Sequence, residues 1–326
     1  MEPETSSTNG GPHPLTFIFF NEHKLRPGWR LLIFVGMLYG IFSLLRWGLS
    51  HVNQSNQAAS PSGIAVPITF ALGELIPFLL LLFATWVMSK VEKKKLGEYG
   101  LPLQPSALGR FFRGYVLWGF LPLSFLLLVL RSLKAFYFGG LALHGMEMVY
   151  WAIIWATVFF LVGLFEEYAF RGYLLHTLAE GVGFWPAAII MAIPFALLHM
   201  GNAGETRLGI VAVVFFGIFA AATLRATGNL WLAVGAHAGW DWAESYFYGV
   251  SDSGTVLPGH LLNPHSAGPA WLSGGSVGPE GSVLTLIFWG LMTAGILLFY
   301  EKRRKVVSMV SATPPEEPAQ RTPLGF

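Results

Sequence analysis

Long apolar runs separated by short polar segments dominate the chain, at about residues 31–50, 64–88, 111–131, 147–165, 185–200, 208–224, 229–245 and 282–300. A helix crosses a bilayer core with about 20 predominantly apolar residues, so the pattern predicts an all-α, polytopic transmembrane bundle of about eight helices. Polar segments set the boundaries: a polar N-terminal segment at 1–30, a transmembrane domain at 31–305, and a tail at 306–326. The first segment carries Pro3, Pro12, Pro14 and Pro27 and lacks the apolar core and cleavage site of a secretory signal. The first span is therefore expected to be an uncleaved anchor. The tail, with Pro314, Pro315, Glu316, Glu317 and Pro318, has no apolar periodicity and reads as disordered. No internal repeat of the inverted-topology transporter kind is evident.

Composition agrees: 54% of residues are hydrophobic and 12% charged, against about 25% charged in a soluble domain. The absence of cysteine excludes disulfides, thiolate metal ligands and a cysteine nucleophile. With a net charge of +2 and basic residues confined to loops, no nucleic-acid partner is expected.

Loop charge gives an orientation. With both termini cytoplasmic, Lys24, Arg26, Arg30, Lys90, Lys93, Lys94, Lys95, Arg110, Arg113, Arg225 and the Lys302–Lys305 cluster fall inside. Arg46, Arg131, Lys134 and Arg207 fall outside, an asymmetry that follows the positive-inside rule. The Gly-, Ser- and Pro-rich connection at 246–280 has no Lys or Arg and suits the external side. The expected setting is the cell membrane, as a multi-pass protein with the lipid bilayer as its solvent.

Against this background Glu166, Glu167, Arg171, His199, His237 and Asp241 stand out, because ionisable groups in apolar spans usually face a protein interior or aqueous cavity. Glu167 and Arg171 are four apart and can pair on one helix face. Glu166 points about 100° away from Glu167 and is free to face another surface. The bland alternative is a helix end whose charges reach interfacial water; against it, Gly172–Leu178 can continue the helix to a turn near Gly181 and Gly183. With that turn near residue 182, Glu166 and His199 each lie roughly 25 Å along antiparallel helices and can meet. His237 and Asp241 share a third helix, with Gly235 and Gly239 beside them allowing close helix approach. The bland alternative there is a hydrogen bond that satisfies two buried polar groups.

Together these groups supply what amide hydrolysis needs: one group to activate water and others to stabilise the oxyanion, or to bind a metal that does so. A glutamate with two histidines is also a ligand set that would suit zinc with a position open for water. Other polar residues carry weaker signals. Glu74 is assigned a structural role over lining the cavity, while His144, Glu147, His176, Glu180 and Glu244 are expected near turns or interfaces, and His260 and His265 in the external loop.

Three motifs in order, Glu-Glu-x-x-x-Arg at 166–171, Phe-x-x-x-His at 195–199 and His-x-x-x-Asp at 237–241, resemble those of the CAAX prenyl endopeptidase and bacteriocin-processing (CPBP, or Abi) intramembrane proteases. The resemblance covers about 147–245. It implies an endopeptidase in which Glu166 with His199 activates water, His237 with Asp241 stabilises the oxyanion, and Glu167 with Arg171 supports the site. The eukaryotic prenyl-protein enzymes tend to have Asn at the last position. Because an ionised Asp would repel an oxyanion, Asp241 is given the role of orienting His237. The implied substrate is a peptide or membrane-protein segment near the bilayer. Two other readings stay open: a non-catalytic scaffold or bacteriocin-immunity protein of the same fold, and a proton-coupled transporter.

Overall fold

The computed structural model describes residues 19–21, 24–52, 63–202 and 204–312. The expectations for residues 1–18 and for 313–326 lie outside these. The described chain is all-α, and each of the eight apolar runs coincides with a helix. The helices are α1 (Pro27–Val52), α2 (Ala65–Val91), α3 (Ser106–Ser132), α4 (Met146–Arg171) and α5 (Tyr173–Val182). They continue with α6 (Phe184–His199), α7 (Arg207–Thr227), α8 (Trp231–Asp241) and α9 (Val283–Ala312).

Six stretches among the described residues are long and apolar enough to cross a membrane. The expected count of eight is not reached because α6 has only 16 residues and α8 only 11. A π-helical turn, Trp242–Tyr248, carries α8 onward, and a second one, Gly114–Phe120, lies within α3 just before Pro122.

The helix bearing Glu166 does not run unbroken to Gly181, contrary to the sequence expectation. It breaks at Gly172 (φ −79°, ψ −126°), where a Cβ would meet the Tyr168 carbonyl oxygen at 2.3 Å. The following hairpin does turn at Gly183, whose φ of +86° suits a residue without a side chain.

The loops gather at two ends, as alternating spans require. At one end Arg30 of α1 bonds Glu92 after α2 and Glu180 of α5; Tyr99 and Tyr173 also donate to Glu92, at 2.9 and 2.5 Å. This is a partly buried polar knot tying three helix ends. At the other end Phe136–Tyr137 pairs antiparallel with His265–Ser266, and Ser276 Oγ donates to Gly204 O at 2.8 Å.

Between the ends, small residues let α8 sink into the bundle. A Cβ at Gly235 would lie 2.0 Å from Phe111 O, and one at Gly119 would lie 2.4 Å from Ala236 O, so α3 and α8 touch backbone to backbone. Gly163 of α4 meets α8 in the same way, 2.9 Å from Val234 O. Every residue of α8 from Leu232 to Asp241 is buried. Exposed faces elsewhere are apolar, including Leu32, Leu44, Ile189 and Leu291, as lipid contact requires.

Candidate active site

α4 contributes Glu166 and, one residue on, Glu167. The i,i+4 spacing brings Arg171 Nη1 to 3.3 Å from Glu167 Oε1, with the two side chains 1% and 0% exposed. Arg171 also lies over the Phe195 ring at 4.3 Å, and Gly217 of α7 leaves room for its Nη2.

α8 passes close enough at Gly163 for His237 to reach the same carboxylate: Nδ1 lies 3.0 Å from Glu167 Oε1. A carboxylate only accepts, so Nδ1 carries the hydrogen. The other nitrogen, Nε2, lies 3.6 Å from Glu166 Oε2 and 3.5 Å from Asp241 Oδ2. Glu167 thus makes a shorter contact with His237 than Asp241, the residue expected to orient it, does. Asp241 is a second neighbour on the opposite nitrogen.

His199 closes α6. Its Nδ1 donates to the Phe195 carbonyl at 2.9 Å, which leaves Nε2 as the lone-pair nitrogen. The Phe195 ring packs on His199 at 4.9 Å, while Phe216 of α7 packs edge-on against His237 at 4.7 Å. Apolar rings thus fix both imidazoles.

Glu166, His199, His237 and Asp241 all line one cavity of about 260 Å³. Glu167 and Arg171 stand behind its wall. Glu74 of α2 also lines the cavity, with Oε2 buried and unbonded, so its place is at the site and not in a remote helix contact. Asn202, Asp252 and Glu280 join the lining from the loops at 200–206 and 249–281. Sequence reading missed these three, because irregular loops carry no periodicity that reports which side chains turn inward.

Glu244 is a further correction: expected near an interface, it is completely buried. A signal was present, since His237, Asp241 and Glu244 are spaced i, i+4, i+7, one stripe of a helix. Its carboxylate gathers with those of Asp252 and Glu280, oxygens all within 4.8 Å of one another. Burial and the adjacent Glu280 carboxylate push Asp252 up to about 8.

Among the described residues this trio is the grouping close enough to share one cation; Glu166, His199 and His237 do not gather their donor atoms so tightly.

A family model described as type II CAAX prenyl endopeptidase Rce1-like matches residues 147–243, the stretch that holds all three motifs. The resemblance drawn from those motifs is thus met by the family comparison over the same helices, α4 to α8. No curated protein and no solved structure gives a match.

Proposed function

We propose that this chain is an intramembrane endopeptidase that hydrolyses a peptide bond of a membrane-associated peptide or protein tail. The observation that carries this reading is the convergence of Glu166, His199, His237 and Asp241, from three separate helices, on one cavity inside the family-matched segment.

In the proposed reaction Glu166 takes a proton from water while the lone-pair Nε2 of His199 holds that water. The oxygen adds to the peptide carbonyl, and the carbonyl oxygen becomes an oxyanion. His237, pinned by Glu167 through Nδ1, donates to the oxyanion from a protonated Nε2, a role worth about 2.7–4 kcal/mol for a single oxyanion donor. The C–N bond then breaks, and the proton held by Glu166 passes to the departing nitrogen, as general acid–base catalysis requires.

The loops at 200–206 and 249–281 build part of the cavity lining. With both termini cytoplasmic, that end faces outward, and a substrate peptide reaches the site from the external side. The test is a comparison of membrane and released peptide termini, by mass spectrometry, between cells making the parent chain and cells making Glu166→Gln. A new terminus that depends on Glu166 supports the reading; identical termini overturn it.

A further inference from the structure

At the edge of the proposed catalytic cavity lies a set of charges that the reaction does not use. Glu244, Asp252 and Glu280 bring carboxylate oxygens to within 4.8 Å of one another. Glu244 is 0% exposed and neither of its oxygens has a hydrogen-bond partner. The indole N–H of Trp240 is the donor nearest to it, but does not reach good hydrogen-bond geometry. The other two acids are partly satisfied: Ser245 Oγ donates to Asp252 at 3.0 Å, and Ser253 donates to Glu280 through both N and Oγ, at 3.0 and 2.7 Å. No Lys or Arg among the described residues pairs with any of the three, and residues 246–280 contain none.

Fully buried Glu244 is crowded by the half-buried carboxyls of Asp252 and Glu280, so ionising the three together costs mutual repulsion, and a buried acid whose one neighbouring donor is an indole N–H forfeits most of its hydration. A cation resolves both costs at once. We propose that Glu244, Asp252 and Glu280 form a binding site for a hard divalent cation, calcium by preference, that staples the connection at 249–281 to the helix carrying His237.

The donor set is all oxygen, without the nitrogen or sulfur that would favour zinc. Calcium binds oxygens at about 2.3–2.6 Å, so ligands on opposite sides of one ion lie roughly 4.6–5.2 Å apart. The observed grouping falls within that span. The connection itself is rich in glycine, with Gly254, Gly274 and Gly278 all at positive φ. Single hydrogen bonds such as Ser245–Asp252 and Ser276–Gly204 hold the segment, and a cation adds a stronger cross-link to them. Because Asp252 and Glu280 also line the cavity, the cation fixes one part of the cavity wall without touching the proposed reaction centre.

The test uses the full-length protein in detergent, stripped of divalent ions. Calcium chloride at about 100 times its dissociation constant is expected to raise the melting temperature by about 5 °C. Terbium, a luminescent stand-in for calcium, is expected to emit on tryptophan excitation through Trp240, and calcium to quench that emission by displacement. Glu244→Gln, Asp252→Asn and Glu280→Gln each relieve repulsion, so the ion-free variants should melt no lower than the parent while losing most of the calcium shift. Glu166→Gln, which lies outside the trio, should keep it. The proposal is overturned if the parent shows neither a calcium shift nor sensitised terbium, if the three variants shift like the parent, or if Glu166→Gln loses the shift. None of these readouts depends on proteolysis.

Discussion

His237 Nδ1 sits 3.0 Å from Glu167 Oε1, the same oxygen that Arg171 Nη1 approaches at 3.3 Å. One buried carboxylate oxygen thus holds a cation on its own helix and an imidazole on another. Glu167 joins α4 to α8, and it fixes which nitrogen of His237 is presented to the cavity.

From that relationship follows a split between two substitutions. Arg171→Ala leaves the Glu167 charge buried with only His237 to compensate it, and loss of one partner of a buried pair costs about 3–5 kcal/mol. The yield of folded protein in detergent and its melting temperature should both fall. Glu167→Gln keeps the size and an oxygen acceptor but strands the buried Arg171 charge, so it too should melt below the parent, and it should lose activity besides as His237 loses its anchor. Equal stability of Arg171→Ala and the parent would show that the pair carries no structural load.

The contact between α3 and α8 yields a prediction about packing alone. Gly235→Ala and Gly239→Ala would place a methyl 2.0 Å from Phe111 O and 2.2 Å from Tyr115 O, in each case against backbone that cannot rotate away. Overpacking of this kind costs about 1–3 kcal/mol. Gly290→Ala, where a Cβ meets nothing within 4 Å, is the control and should be neutral. Thermal unfolding of the three variants checks this ordering.

Much of this arrangement was legible in the sequence, and the exceptions share a cause. Eight apolar runs mark eight of the helices because lipid-facing spans and the helix buried among them are alike continuously apolar, and Glu167 with Arg171, or His237 with Asp241, are readable because i,i+4 spacing is local geometry. The Glu167–His237 contact was not readable: it depends on how closely α4 and α8 pack at Gly163, a tertiary fact. The break at Gly172 was missed because glycine is tolerated within a helix, and only the clash at the Tyr168 carbonyl reveals why it is needed here. Asp252 and Glu280 come from a connection whose course no repeating pattern records.

Orientation can be tested on the cysteine-free background. Ser266 and Leu103 are exposed at opposite loop ends. A cysteine at Ser266 should react with an impermeant maleimide in intact cells, and one at Leu103 only after lysis. The reverse pattern would place the termini outside and turn the cavity toward the cytoplasm.

The decisive prediction concerns Glu166, whose Oε2 lies 3.6 Å from His237 Nε2 and forms no hydrogen bond, although it is buried. Glu166→Gln preserves size and polarity but removes the base. Cleavage should drop by about 100-fold or more, the scale of losing a general base, with folding and membrane insertion intact. His199→Ala and His237→Ala should each lose on the order of 100-fold, one through the water and one through the oxyanion. A chelator series runs on the same assay: inhibition that zinc reverses and calcium does not would bring a metal into the reaction centre and require the donors around Glu166 to close up. Inhibition reversed by calcium in the parent but not in Glu244→Gln would trace to the acidic trio instead. Full biological activity in Glu166→Gln would remove proteolysis from consideration. A pH-driven flux that persists in that variant would then favour a transporter, and its absence a scaffold.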